Sequence, residues 1–229
     1  MEFSKKDLDQ IKQHNLSVAQ IEKQLENFKK GFPFVNLQKP AVIGDGILQI
    51  EESKVWDYIN AFEDYATNAS IVKFVPASGA ATRMFKDLYD FKASFDSSKN
   101  TLEDFPKVKE FIDNIRQFAF YESLLPFGVE NALKEKDYLK VVELILEDRG
   151  LSYGQSPKAT IVFHKYDDEV RTSFEEHLVE AAKYCMDNKK EVRLHFTISG
   201  NHKEKFFSLL ERVRAKYENR FSCKYEIEF

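Results

Sequence analysis

The sequence predicts an α/β fold with a three-layer core built on a mainly parallel sheet. Two observations predict it. Short β-branched or aromatic runs at 71–75, 160–163, 192–199 and 224–229 alternate with segments whose apolar residues recur at helical spacing, as in Phe174, Leu178, Ala181 and Cys185; parallel strands joined by crossover helices give this succession. Apolar residues make up 43% of the 229 residues and include 21 Phe, enough for a packed core, while 8 Gly and 6 Pro are too few for a linker-like chain.

Taken in order, the first 66 residues read as a helical lead-in. A short helix starts near Ser4. Ser17-Val-Ala-Gln20 fits a capping box, followed by Val18, Ile21, Leu25 and Phe28 at helical spacing and a stop at Gly31. Gly31, Pro33, Pro40, Gly44 and Gly46 mark a loop over 31–50, after which Val55, Tyr58, Ile59 and Phe62 share one helical face. Ile71-Val-Lys-Phe-Val75 then reads as a strand that ends at Pro76, and helical spacing resumes over 84–94 with Leu88 and Phe91. The block 95–150 continues as helices, with a start at Thr101-Leu-Glu-Asp104, apolar positions Val108, Phe111, Ile112, Ile115 and Phe118, and a further helix over 139–146. It interrupts the β-α-β rhythm and is expected to form a helical insertion on one edge of the sheet. A strand over 160–163, a helix over 172–188, a strand over 192–199 and a helix with inner face Phe206, Leu210, Val213 and Tyr217 follow. In the closing run Tyr225, Ile227 and Phe229 alternate with charge. The expected division is a helical N-terminal extension over 1–66 and an α/β domain over 67–229. Because the last residue falls in an apparent strand, the chain is expected to be a fragment of a longer protein.

Composition excludes several function classes. With 34 basic and 38 acidic residues the net charge is −4, which gives no long-range attraction to nucleic acid or an anionic membrane, so neither is an expected partner. The N-terminus lacks an apolar signal core, and no stretch approaches ~18 uninterrupted apolar residues, so a cytoplasmic location is expected. Cys185 and Cys223 lack the spacing of a zinc site and read as reduced core thiols. His164, His177, His195 and His202 show no relay or metal spacing and read as structural.

Chemistry concentrates in Val75-Pro-Ala-Ser-Gly-Ala-Ala-Thr-Arg-Met84, a strand opening through small residues into a helix. Backbone amides of such a turn and a helix N-terminus favour an anion, and Arg83 adds a planar, charge-assisted fork. A strand-helix connection whose small residues merely pack tightly is the other reading. No Gly-Lys-Ser or Gly-Lys-Thr of a P-loop occurs, and Val42-Ile-Gly-Asp-Gly46 has Gln49 where a dinucleotide fingerprint needs its third glycine, so Gly44 and Gly46 read as turn residues.

Ala77-Ser-Gly-Ala-Ala-Thr-Arg-Met84 resembles the signature loop of sugar nucleotidyltransferases: Ala, Ala or Gly, Gly, any residue, Gly, Thr, Arg, then Met or Leu after the first strand. With Ser allowed beside Ala and Gly, every position is met but Ala81, where those enzymes carry glycine. Ser156-Pro-Lys-Ala159 before the run Thr160-Ile-Val-Phe163 resembles their later Pro-Lys landmark. The long separation between the two fits an insertion over 95–150. The chain as a whole, including Leu25-Glu-Asn-Phe-Lys-Lys-Gly-Phe-Pro-Phe34 and Arg171-Thr-Ser-Phe-Glu-Glu-His-Leu-Val-Glu180, is also similar to the start of a bacterial family catalogued as domain of unknown function 4301, whose members continue beyond this point.

The first resemblance implies a Rossmann-like, nucleotidyltransferase-like sheet and a nucleotide-binding role for 67–229. Its implied activity is nucleotidyl transfer from a nucleoside triphosphate to a sugar phosphate with release of pyrophosphate; a nucleotide sugar would then be a ligand too. Ala77, Ser78, Gly79, Ala80, Ala81, Thr82 and Arg83 would bind nucleotide, with Ser78 to Thr82 along the base and triphosphate. Arg83 and Lys158 would be catalytic, Arg83 neutralising the phosphates and Lys158 contacting the sugar phosphate or the α-phosphate. Magnesium is the implied cofactor, yet the family's metal-binding acids have no counterpart before Phe229. Asp167-Asp-Glu169 reads as a solvated turn, so no metal ligand is assigned. The alternative is a nucleotide-binding or interaction module without catalysis.

Overall fold

The computed structural model describes residues 2–229 and divides into two compact units, 1–56 and 57–229. In the first, α1 (Lys5–Gln13) and α2 (Val18–Lys30) each open on a capping box, Ser4 with Asp7 and Ser17 with Gln20. These reciprocal bonds satisfy amides that the first helical turn leaves unpaired. β1 (Val42–Ile43) and β2 (Gly46–Ile47) form a minimal ladder where the sequence predicts only loop. None of the described residues of this unit is buried, and Phe28, Phe32 and Phe34 are exposed. The unit boundary, after Trp56, falls inside α3 (Val55–Asn68).

The second unit runs from α3 into β3 (Val72–Pro76) and then through α4 (Lys86–Ser94), α5 (Pro106–Asp113), α6 (Tyr121–Leu124), α7 (Val129–Lys134) and α8 (Tyr138–Leu146). Of these, α4, α5 and α8 turn apolar residues inward, as α8 does with Val141, Val142, Leu144, Ile145 and Leu146. The block closes on its own core, in which Phe91, Ile115, Leu124, Val129 and Ile145 are fully buried. Full burial of each such side chain contributes about 1.5–3 kcal/mol.

β4 (Val162–Lys165) and β5 (Val170–Thr172) follow, then α9 (Ser173–Tyr184), β6 (Glu191–Thr197), α10 (Lys203–Phe221) and β7 (Lys224–Glu228). The parallel sheet has three strands in the order β3-β6-β7, with Phe74 opposite His195 and His195 opposite Glu228. Period-two alternation sorts β6 cleanly: Val192, Leu194 and Phe196 are buried with Phe174 and Leu178 of α9 and Phe206, Leu210, Val213 and Tyr217 of α10. The opposite face carries Val72 and Phe74, both exposed, and Arg193 and His195, with Glu226 and Glu228 beyond. The structure is thus a mixed α/β fold with parallel strands, and α9 and α10 pack on one face of the sheet.

One expected strand changes partner. The run over 160–163 does not enter the parallel sheet: Thr160 closes the single turn Lys158–Thr160, and Val162–Lys165 pairs antiparallel with β5. The acidic turn explains it, because the Tyr166 N–H donates to the Glu169 carbonyl at 2.8 Å and folds the chain back as a hairpin.

Candidate functional site

Parallel strands bring their carboxyl ends to one edge of a sheet, the place where open α/β folds hold ligands. The Ala77 N–H donates to the Thr197 carbonyl at 2.9 Å and ties the loop after β3 to the end of β6. Across that loop, the Lys158 N–H donates to the Gly79 carbonyl at 3.0 Å, and Ala80 pairs with Pro157 in an isolated antiparallel bridge. Two distant stretches of chain are thereby joined backbone to backbone. Between them lies a cavity of about 280 Å³, walled by Pro76, Ala77 and Gly79 from the loop, Lys158 and Ala159 from the short turn, and Ser173 and His177 from α9.

Each wall contributes differently. Gly79 is required neither by its backbone, which is outside the left-handed region, nor by packing, since an added Cβ would meet nothing within 4 Å. Its missing side chain leaves that wall open. Lys158 is exposed and carries a positive charge to the rim. Ser173 is the first residue of α9, whose N-terminus Thr172 and Glu175 fix: the Thr172 N–H donates to Glu175 Oε2 at 2.8 Å and the Glu175 N–H to Thr172 Oγ1 at 3.2 Å. The amides at that end give the cavity a partial positive charge, which Glu175 and Glu176 in the same turn reduce. His177 stands one turn on, edge-on to Phe196, with Nδ1 buried and 3.5 Å from Glu180, which also pairs with Lys73. Burial and, after it, the Lys73 charge lower the His177 imidazole below its ordinary value, so it is neutral at pH 7.

Neutral or cationic polar groups and no carboxylate line this cavity. It can accept a small anion, with a neutral imidazole as a hydrogen-bonding neighbour. Among the described residues no group of three His, Cys, Asp or Glu side chains is placed to hold a metal ion. The residues therefore do not fit a protein-bound magnesium here.

The family model described as Domain of unknown function (DUF4301) matches residues 4–229. The chain belongs to the DUF4301 family. No curated protein and no solved structure matches it.

In this DUF4301 chain the residues expected at the site separate. Ala77, Gly79 and Lys158 wall the cavity. Ser78 and Ala80 are exposed in the same loop. Ala81 is 1% exposed, its methyl buried in the core of the helical block with Phe85 and Leu88. That methyl, where the nucleotidyltransferase signature has glycine, packs against hydrocarbon. Thr82 and Arg83 are exposed in a turn closed by the Met84 N–H on the Ala81 carbonyl at 2.9 Å, and neither lines the cavity. Because that turn intervenes, α4 starts at Lys86 and not at 84, and the helix end at the cavity is that of α9. Ser173 and His177 are the residues sequence reasoning missed. Their signal is a capping box, Thr172 with Glu175, followed by two polar residues four apart on one helical face.

Glu169 also departs from expectation. It is no solvated turn residue: Arg171, Lys216 and Arg220 all pair with it, Arg171 being buried. Burial alone would raise the carboxyl, but hydrogen bonds from Arg171, Lys216 and Arg220 outweigh it and bring it down to about 2.

Proposed function

We propose that this DUF4301 chain binds a phosphorylated nucleotide or sugar at the carboxyl edge of its sheet and belongs to a cytoplasmic nucleotidyltransferase of Rossmann-like type. In the proposed reaction an oxygen of the sugar phosphate attacks the α-phosphorus of a nucleoside triphosphate. The bond to the β-phosphate oxygen breaks, and its electron pair leaves with pyrophosphate. Lys158 offsets the phosphate charge, the first turn of α9 and the Ser173 hydroxyl donate to phosphate oxygens, and the open wall at Gly79 lets a ligand lie against backbone. Magnesium would enter with the triphosphate and not on protein ligands. Arg83 acts from outside the cavity, on the part of the nucleotide that extends beyond it.

The observation that carries this reading is the hydrogen bond from the Lys158 N–H to the Gly79 carbonyl, which holds the loop and the Pro-Lys landmark as two walls of one cavity. Titration calorimetry with the four nucleoside triphosphates, their sugar conjugates and glucose 1-phosphate tests it. At least one ligand should bind, and Lys158→Ala should weaken it on the order of tenfold or more, the worth of one charge-assisted contact. No binding in any arm overturns the reading. Ligand binding without pyrophosphate release would favour the second reading, a non-catalytic nucleotide-binding module. The absence of a carboxylate from the cavity wall supports that alternative.

A further inference from the structure

A second cavity, of about 270 Å³, lies in the helical block and is built of aromatic rings. Phe85 and Leu88 form one side, Phe111, Phe118 and Phe120 another, and Phe163 of β4 a third. The rings on the second side touch one another: Phe118 and Phe120 stack with centroids 5.4 Å apart and planes 18° apart, Phe111 lies 6.5 Å from Phe120 at 24°, and Phe111 and Phe118 are tilted by 36° at 4.8 Å. Such an aromatic wall attracts another flat ring, offset-stacked or edge to face. The mouth is polar on one edge only, where Lys107 and Asp87, both exposed, pair at 3.3 Å. Phe118 and Met84 are also partly exposed there, at 37% and 48%.

We propose that this cavity binds a planar heteroaromatic ring of nucleobase size, packed against the Phe111, Phe118 and Phe120 rings, with its polar edge at the Asp87–Lys107 pair. A flat ring with donors and acceptors on its rim matches three features: an aromatic wall, small volume, and a carboxylate beside an ammonium at the opening. An aliphatic chain would use the volume but offer no polar atom to the charged pair at the opening. The inference does not rest on the phosphate reading, since none of these residues touches that cavity. The two readings are compatible: Met84 belongs to the loop that carries Gly79, and the chain between these residues spans at most about 18 Å.

Ligand-observed NMR on the full chain, with adenosine and thymidine as phosphate-free probes and octanoate as the aliphatic control, tests it. Adenosine or thymidine should bind at millimolar concentration, and octanoate should not compete. Phe118→Ala and Asp87→Ala should each weaken binding roughly fivefold to tenfold, by removing a stacking face and the acceptor. Asp87 is exposed, so its variant keeps the test decisive if Phe118→Ala folds poorly. Lys158→Ala should leave nucleoside binding unchanged, which separates the outcome from that of the phosphate site. Failure of both nucleosides to bind, insensitivity to both cavity variants, or displacement by octanoate overturns the proposal.

Discussion

Gly79 makes a residue-scale prediction that separates binding from folding. Its backbone is ordinary and its missing Cβ faces open space, so Gly79→Val should change stability by less than about 1 kcal/mol. The same substitution places three carbons at the wall beside Lys158, and it should abolish binding of whichever phosphorylated ligand calorimetry finds for the parent chain. Equal binding by the two proteins would remove Gly79 from the site. Ala81, only two positions on, behaves oppositely: its methyl is buried, so its sequence difference from the signature concerns packing. The loop was legible in the sequence because small residues after a strand are a local pattern. The assignment of each methyl to core or cavity was not, because it depends on the distant helical block.

At the scale of elements, most helices and the three parallel strands were legible from periodicity, since one-sided burial writes a repeat of 3.6 or 2 into the chain. The hairpin β4–β5 was not, because β5 has only three residues and sits among charges that look solvated. Those charges staple the elements together. Thr172 caps α9 through bonds that are buried, and Thr172→Ala should cost about 1–2 kcal/mol in urea unfolding, with Thr172→Ser recovering most of it. The Glu169 cluster joins the hairpin turn to α10 through Lys216 and Arg220. A carboxyl held at about 2, against 4.5 for an ordinary one, contributes stability that is fully present above pH 4.5 and is lost as pH falls toward 2. Since Lys216 and Arg220 are partly exposed and screened, that contribution is about 1–3 kcal/mol. Glu169→Gln should therefore be less stable than the parent at pH 7, and the gap should close between pH 4.5 and 2. A gap that stays constant over that range would mean that the ion pairs do not set it.

For the second unit as a whole, the arrangement of layers decides what the sheet is for. The alternation along β6 puts Phe196 into the core with α9 and α10, while Phe74, on the neighbouring strand and the other face, is 61% exposed and stacks only on His195 at 5.5 Å. A sheet covered on both faces would read as continuous apolar runs, whereas β6 alternates Val, Leu and Phe with Arg and His. The same alternation makes the layers measurable. Phe196→Ala should cost about 3–5 kcal/mol, as large-to-small changes in a packed core do, and Phe74→Ser less than about 1 kcal/mol. Urea midpoints of the two variants, with unchanged slopes, give the comparison directly. A loss at Phe74 as large as that at Phe196 would mean that a third layer covers the outer face in solution. The small loss expected here leaves Val72, Phe74 and His195 as an open platform on that face.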